Sequence, residues 1–190
     1  GYHGLEFDCS GACTHIPGQT EIPAWTKVRR YKLAERNRWV FIWMGDPDRA
    51  DESLLPDWQV MDDPGWAVVK GDPPFHIPCH YELFNDNLLD LSHLAYVHIK
   101  NIGTAVVPDF PIVTTRGEDS VRMIRWILDS PPAPLYARFG GFEDNIDRWQ
   151  YAEAMVPSFN TVRVGCLPAG SGAKAGDHPD DIPRSPGGRD

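Results

Sequence analysis

The residues best suited to chemistry lie in one short stretch, NDNLLDLSHLAYVH, residues 85–98. It carries Asp90, His93 and His98 among leucines, an alanine, a tyrosine and a valine. Two imidazoles and a carboxylate are the ligand set of a facial-triad Fe(II) site, which leaves coordination positions open for oxygen and substrate. Asp90 and His93, three residues apart, share a helix face. His93 and His98 are five apart, roughly 140° around an ideal helix at about 100° per residue. To meet on one ion, the helix must distort between them, through a π-bulge for example, or end before His98. The competing reading is an amphipathic helix whose polar stripe is solvated.

Other histidines and cysteines give weaker patterns. Cys13-Thr14-His15 has C-x-H spacing, but a small packed cysteine in a turn explains it as well. His76 and His80 are four apart with Pro78 between them, which suits an extended segment with exposed imidazoles better than a helical metal site. His178 falls in a polar tail and is expected to be solvated. Trp126, Trp149 and Tyr151 could line a substrate pocket, although packing in strands is the commoner fate of such residues.

The elements that must position these residues follow from periodicity. TKVRRYKLAERNRWVFIWMG, residues 26–45, reads as a hairpin. Glu35 to Arg38 form its polar turn, and Trp39 to Met44 a buried strand. Residues 1–45 thus form a small all-β unit, and the acidic, proline-bearing stretch that follows, 46–65, reads as a linker. The second unit, 66–170, opens on a short strand at GWAVVKG and continues into a helix over roughly 84–97. Strand candidates follow at FPIVTTR (110–116), SVRMIRWIL (120–128), RWQYAEAMV (148–156) and NTVRVGCLP (160–168). One helix and a run of antiparallel strands make an α+β fold. Residues 171–190 are poor in apolar side chains and are expected to be an atypical tail, disordered or at most a long loop; whether 178–190 is native sequence is open.

Bulk properties narrow the partners. A net charge of −9, with no basic run, argues against nucleic acid. The most apolar run, WVFIWM, is far shorter than the ~20 residues a membrane helix needs. Four unevenly spaced cysteines are not a disulfide framework, so a cytoplasmic setting is expected.

The start of the chain, GYHGLEFDCSGACTHIPGQ, resembles the second half of a Rieske cluster motif, C-x2-H-G, with Gly1-Tyr2-His3-Gly4 supplying all but the cysteine. CSGACTHIPGQ resembles the loop after that half, and WVFIWMGDP the last strand of a Rieske domain. NLLDLSHLAYVH is similar to the iron-binding helix of Rieske non-haem iron oxygenases, within them to the branch of vanillate O-demethylase oxygenase subunits. The resemblance spans roughly residues 1–170. It implies that 1–45 is the C-terminal part of a Rieske 2Fe–2S domain and 66–170 the N-terminal part of an antiparallel-sheet catalytic domain with an iron-binding helix.

The same resemblance implies roles for single residues. His3 ligates one iron of the 2Fe–2S cluster, and His93 and His98 ligate the mononuclear Fe(II). Asp90 becomes a bridge that carries electrons from His3 of a neighbouring protomer, and Asn87 stands near the iron without binding it. The remaining cluster ligands and the carboxylate of the triad fall outside these 190 residues, so the chain is expected to be part of a longer protein. The implied activity is that of a terminal oxygenase in a multicomponent system. It uses O2 and electrons from NADH, delivered by a flavin/iron–sulfur reductase, to hydroxylate or O-demethylate a vanillate-like aromatic acid, and works as a homotrimer. A ring-hydroxylating dioxygenase, or another ring hydroxylase, is the alternative within the class. A Rieske electron carrier without oxygen chemistry is the alternative outside it, and it would have no use for the second metal segment.

Overall fold

Alternating apolar and polar residues in the second half of the chain form the sheet that carries the candidate site. The computed structural model describes residues 2–69, 71, 73–156 and 159–181. It divides into two units, Gly1–Phe75 and His76–Asp190.

In the first unit, β1 (Glu6–Phe7) pairs antiparallel with β2 (Cys13–His15), and β3 (Lys32–Arg36) with β4 (Trp39–Trp43). The second pair is the expected hairpin, with its turn confined to Asn37 and Arg38, both left-handed at φ 48° and 65°. Two such residues match the twist of paired strands. The expectation of a buried strand at Trp39–Met44 fails in part: Trp39, Val40, Ile42 and Met44 are exposed. Two strands cannot cover both faces of one another.

The stretch expected as a linker instead folds back on this hairpin. It makes three short 3-10 turns, at Pro47–Arg49, Glu52–Leu54 and Gln59–Met61. The Arg36 guanidinium donates to the Leu55 carbonyl (3.1 Å), and the Trp58 amide donates to Asn37 Oδ1 (2.8 Å). The Trp58 ring sits 6.1 Å from that of Trp39. GWAVVKG forms no strand among its described residues.

Among its described residues the second unit holds one α-helix, α1 (Tyr81–Leu89), and four strands in the order β5-β6-β7-β8: Val113–Arg116, Ser120–Ser130, Ile146–Met155 and Phe159–Pro168. Every neighbouring pair is antiparallel. This is the mixed helix and antiparallel-sheet architecture that the sequence implies. The two sheet faces bury different partners, as a strand's period of two requires. Ile124, Trp126 and Tyr151 face Ala173 on one side. On the other, Met123 and Ala152 pack on Leu91 and Leu94, and Ile127 packs on Ala95 and Val107.

Between Ala169 and Asp181 the chain is a loop that packs on the sheet. Asp147, 3% exposed, accepts hydrogen bonds from the Gly170 and Ser171 amides (2.9 and 2.7 Å) and the Ser171 hydroxyl (2.7 Å). Trp126 Nε1 donates to the Asp177 carbonyl (2.8 Å). His178, expected in solvent, sets its ring edge-on to Tyr151 at 5.2 Å. The segment lacks large apolar residues, so it docks through backbone groups, the Ser171 hydroxyl, Ala173, the His178 ring and an ion pair from Asp180 to Arg163. Residues 182–190 lie outside the described residues. Among the described residues, no helix is long and apolar enough to cross a membrane.

Candidate metal centre

The helix expected over 84–97 stops at Leu89, and the histidines lie beyond it. The cause is local. The Asp90 amide still donates to the Asp86 carbonyl (3.0 Å), but Asp90 leaves the helix at ψ 85°. Its Oδ1 accepts the Ser92 amide at 2.8 Å. Such an Asx turn offers the backbone a partner outside the helix and so ends it. A 3-10 turn follows at His93–Ala95, and the His93 carbonyl accepts the Val97 amide at 2.8 Å. The chain then curls around His98, whose carbonyl accepts the amides of Asn101, Ile102 and Gly103 at 2.9–3.1 Å. Leu91, Leu94 and Ala95 are buried against the sheet, which leaves the histidines half-buried between them.

This break overcomes the awkward spacing. The His93 and His98 rings lie 5.2 Å apart between centroids, with planes at 67°. Two imidazoles bound at about 2.1 Å to one ion, at angles between octahedral and tetrahedral, put their centroids roughly 4.6–5.3 Å apart. The pair therefore fits a shared metal. His93 Nδ1 hydrogen-bonds the Asp90 carbonyl oxygen. A carbonyl only accepts, so Nδ1 carries the proton and Nε2 keeps its lone pair for a metal.

The other predicted site residues fall around or away from this pair. Asp90 keeps its carboxylate about half exposed, with Oδ2 4.0 Å from His93 Nδ1. Asn87 is exposed on α1, whose neighbour Asn85 accepts a hydrogen bond from Asn160 of β8 (2.7 Å). His3 belongs to the first unit, in a left-handed turn at φ 60° just before Gly4. Among the described residues, no group of three or more His, Cys, Asp or Glu could by itself hold a metal. The pair would supply two ligands to a metal, and His3, were a 2Fe–2S cluster bound there, one of the four that such a cluster takes. His76 and His80 are exposed, and Cys13 is packed with its thiol directed at the His15 carbonyl (3.4 Å).

Three residues that matter to this segment were not singled out from sequence. Arg125 and Arg148, 4% and 1% exposed, lie on the sheet face beneath it. Burial depresses the pKa of both guanidinium groups; the Asp90 carboxylate opposes this at Arg125, and Tyr136 and Cys166 oppose it at Arg148. Burial in turn pushes the Tyr136 hydroxyl up to about 12. A signal existed, since Arg125 shares a strand face with Val121, Met123 and Ile127, where a cation is out of place. Gly103 is the third. A Cβ there would lie 2.0 Å from the Leu94 carbonyl oxygen, a close approach no sequence pattern announces.

Residues 77–182 match the family model of the vanillate O-demethylase oxygenase C-terminal domain. The chain is 39% identical over 178 residues to the iron–sulfur subunit TsaM1 of the toluene-4-sulfonate monooxygenase system of Comamonas testosteroni, covering 92% of this chain and 51% of that protein. It is 35% identical to a vanillate O-demethylase oxygenase subunit of a Pseudomonas species, covering 90% of this chain and 49% of the relative. The crystal structure of dicamba monooxygenase bound to 3,6-dichlorosalicylic acid superposes with a TM-score of 0.81 at 33% identity, over 89% of this chain and 50% of that one. The chain thus spans about half the length of the relatives it matches.

Proposed function

The chain belongs to the Rieske non-haem iron oxygenases, in the vanillate O-demethylase branch, and from that premise we propose that it carries the iron-binding segment of a terminal oxygenase acting on an aromatic acid. The observation that carries this reading is the break after Leu89, which brings His93 and His98 to chelating distance with His93 Nε2 free. Iron held there would supply O2 activation, and a 2Fe–2S cluster with His3 among its ligands would supply the electrons, delivered from NADH by a flavin/iron–sulfur reductase.

The chain's own residues do the rest. The Asp90 carbonyl fixes the His93 ring, the kind of outer hydrogen bond that orients metal-binding imidazoles. The Asp90 carboxylate is exposed enough to meet a histidine of a second protomer. We assign it the bridge between the His3 of one subunit and the His93 of the next in a homotrimer. Leu91, Leu94 and Ala95 close the sheet side of the segment to water, and we assign Asn87 a place beside the bound metal, with no bond to it.

For a methoxylated acid such as vanillate, one oxygen atom enters the methyl C–H bond. The other leaves as water with two electrons and two protons. The resulting hemiacetal splits into a phenol and formaldehyde. A cytoplasmic setting agrees with four free cysteines. The test, made on the longer protein expected to contain this chain, because these 190 residues alone are not expected to turn over, is oxygen uptake and formaldehyde release with a reductase, NADH and a panel of vanillate, other methoxybenzoates and toluene-4-sulfonate. Equal formaldehyde and oxygen on a methoxybenzoate, lost in His93→Ala, is expected. Turnover that survives His93→Ala would sink the reading.

A further inference from the structure

The candidate ligands sit on backbone that neither a helix nor a sheet holds. Between Asp90 and Thr104 the chain makes only short turns, so its carbonyls need partners from elsewhere. Two buried arginines supply them. Arg125, on β6, donates from Nη1 to the Leu91 carbonyl at 2.8 Å. Arg148, on β7, donates from Nη1 to the Ile102 carbonyl (2.8 Å) and from Nη2 to Thr104 Oγ1 (2.6 Å). In the strand register Arg125 stands opposite Gln150, and Arg148 opposite Ile127, so both rise from one patch of the sheet. One arginine grips the chain two residues before His93; the other grips it four and six residues after His98.

We propose that Arg125 and Arg148 are positioning residues for a metal bound by His93 and His98, tying down both ends of the segment so that the imidazoles keep their chelating separation. The proposal rests on the metal reading above.

A purely structural role is a poor account of these side chains. Neither guanidinium hydrogen-bonds a carboxylate, and the Nε of each is buried without a hydrogen-bond partner among the described residues. Whole buried ion pairs are often replaced by well-packed apolar residues without loss of stability, so the burial of a cation is weak evidence for a stabilising role. The same face already carries Met123, Ile127 and Ala152, so apolar packing suits it. What an apolar residue cannot do is donate to the Leu91 and Ile102 carbonyls from beneath. Metal sites depend on this kind of support, because ligands on irregular backbone drift unless their neighbours are locked.

The test separates positioning from stability. The protein is depleted of its mononuclear metal and titrated with Co(II) by calorimetry, alongside thermal unfolding, for wild type, His93→Ala, and the Met and Lys variants at positions 125 and 148. Arg125→Met and Arg148→Met should fold and bind Co(II) about 10–100-fold more weakly, the usual loss when an outer partner is removed. The Lys variants, which keep one donor, should recover part of it. Met variants that fold and bind as wild type would overturn the proposal, as would a loss confined to thermal stability. Should a Met variant not fold, Thr104→Val decides, since it removes only the acceptor of Arg148 Nη2. Several-fold weaker binding supports the proposal; unchanged binding overturns it. If wild type shows no Co(II) binding that His93→Ala abolishes, the metal reading itself has failed, and the arginine proposal with it.

Discussion

Replacing Gly103 by alanine measures how tightly the histidine segment is wound. An added Cβ would lie 2.0 Å from the Leu94 carbonyl oxygen, 2.9 Å from the Leu94 carbonyl carbon and 3.2 Å from the His98 carbonyl carbon. All three are backbone atoms, so no rotamer change relieves the clash, and the main chain must shift by more than about 1 Å to restore ordinary contact. Overpacking typically costs 1–3 kcal/mol, and a backbone obstacle belongs at the top of that range, about 3 kcal/mol. Against this, Gly→Ala removes unfolded-state freedom, about 0.4–1 kcal/mol in the opposite direction. The clash wins, with a net loss of about 2–3 kcal/mol. At about 2–4 °C per kcal/mol for a chain of this size, the midpoint should fall by roughly 4–12 °C. Circular dichroism melts would show it. The Gly103 amide also donates to the His98 carbonyl (2.9 Å), so the forced shift passes straight to a proposed ligand and Co(II) affinity should fall too. A Gly103→Ala protein that melts at or above the wild-type temperature would refute the close packing of residues 94–103.

Three further perturbations probe the bridge and the sheet. In the complete parent enzyme, Asp90→Asn keeps an acceptor for the Ser92 amide, so metal should still bind, while reduction of the mononuclear site should slow severely; single-turnover electron transfer at the wild-type rate would refute the bridging role. Burial favours the neutral form of Asp147, but four hydrogen bonds, from the Asp129, Gly170 and Ser171 amides and the Ser171 hydroxyl, outweigh it and hold its pKa below the usual value. Its contribution to stability is therefore complete above the ordinary carboxylate pKa of about 3.9 and lost as pH falls through the lowered folded value. Asp147→Asn should cost about 2 kcal/mol in urea unfolding at pH 7 and progressively less toward pH 2; a cost that does not shrink in acid would contradict this. Trp126→Phe removes the donor to the Asp177 carbonyl and should cost about 1–2 kcal/mol, with faster hydrogen exchange over 173–181 as the readout; unchanged exchange would mean that other contacts hold that segment.

The long strands were legible because each is a run rich in β-branched and aromatic residues bounded by turn-forming ones. Ser120–Ser130, Ile146–Met155 and Phe159–Pro168 differ from the expected 120–128, 148–156 and 160–168 by a residue or two at most ends. The histidine spacing was legible for another reason: five residues cannot bring two imidazoles together on a straight helix, so the sequence itself required a break. Its position was harder to read. Leucines and an alanine continue past Asp90 and look helical, and only the Asx turn at Asp90–Ser92 stops the helix. The packing of the tail was illegible for the opposite reason. Glycine, alanine and aspartate give no periodic signal, yet Asp147 and Trp126 capture the backbone of residues 170–177 through groups that every residue possesses.

The arginines show why a site can be half visible. In SVRMIRWIL, Arg122 and Arg125 are the same residue type on one strand. Three residues apart on a strand, they point to opposite sides. Arg122 reaches Glu153 at the surface (2.6 Å), whereas Arg125 is buried beneath Leu91. Residue type says nothing of this difference; parity does, because Arg125 alone shares the parity of Met123 and Ile127. The ligands of a metal site can announce themselves in one short string. The groups that hold those ligands still lie on other strands, here 34 and 46 residues further along the chain, and they become readable only once the sheet shows which face looks toward the histidines.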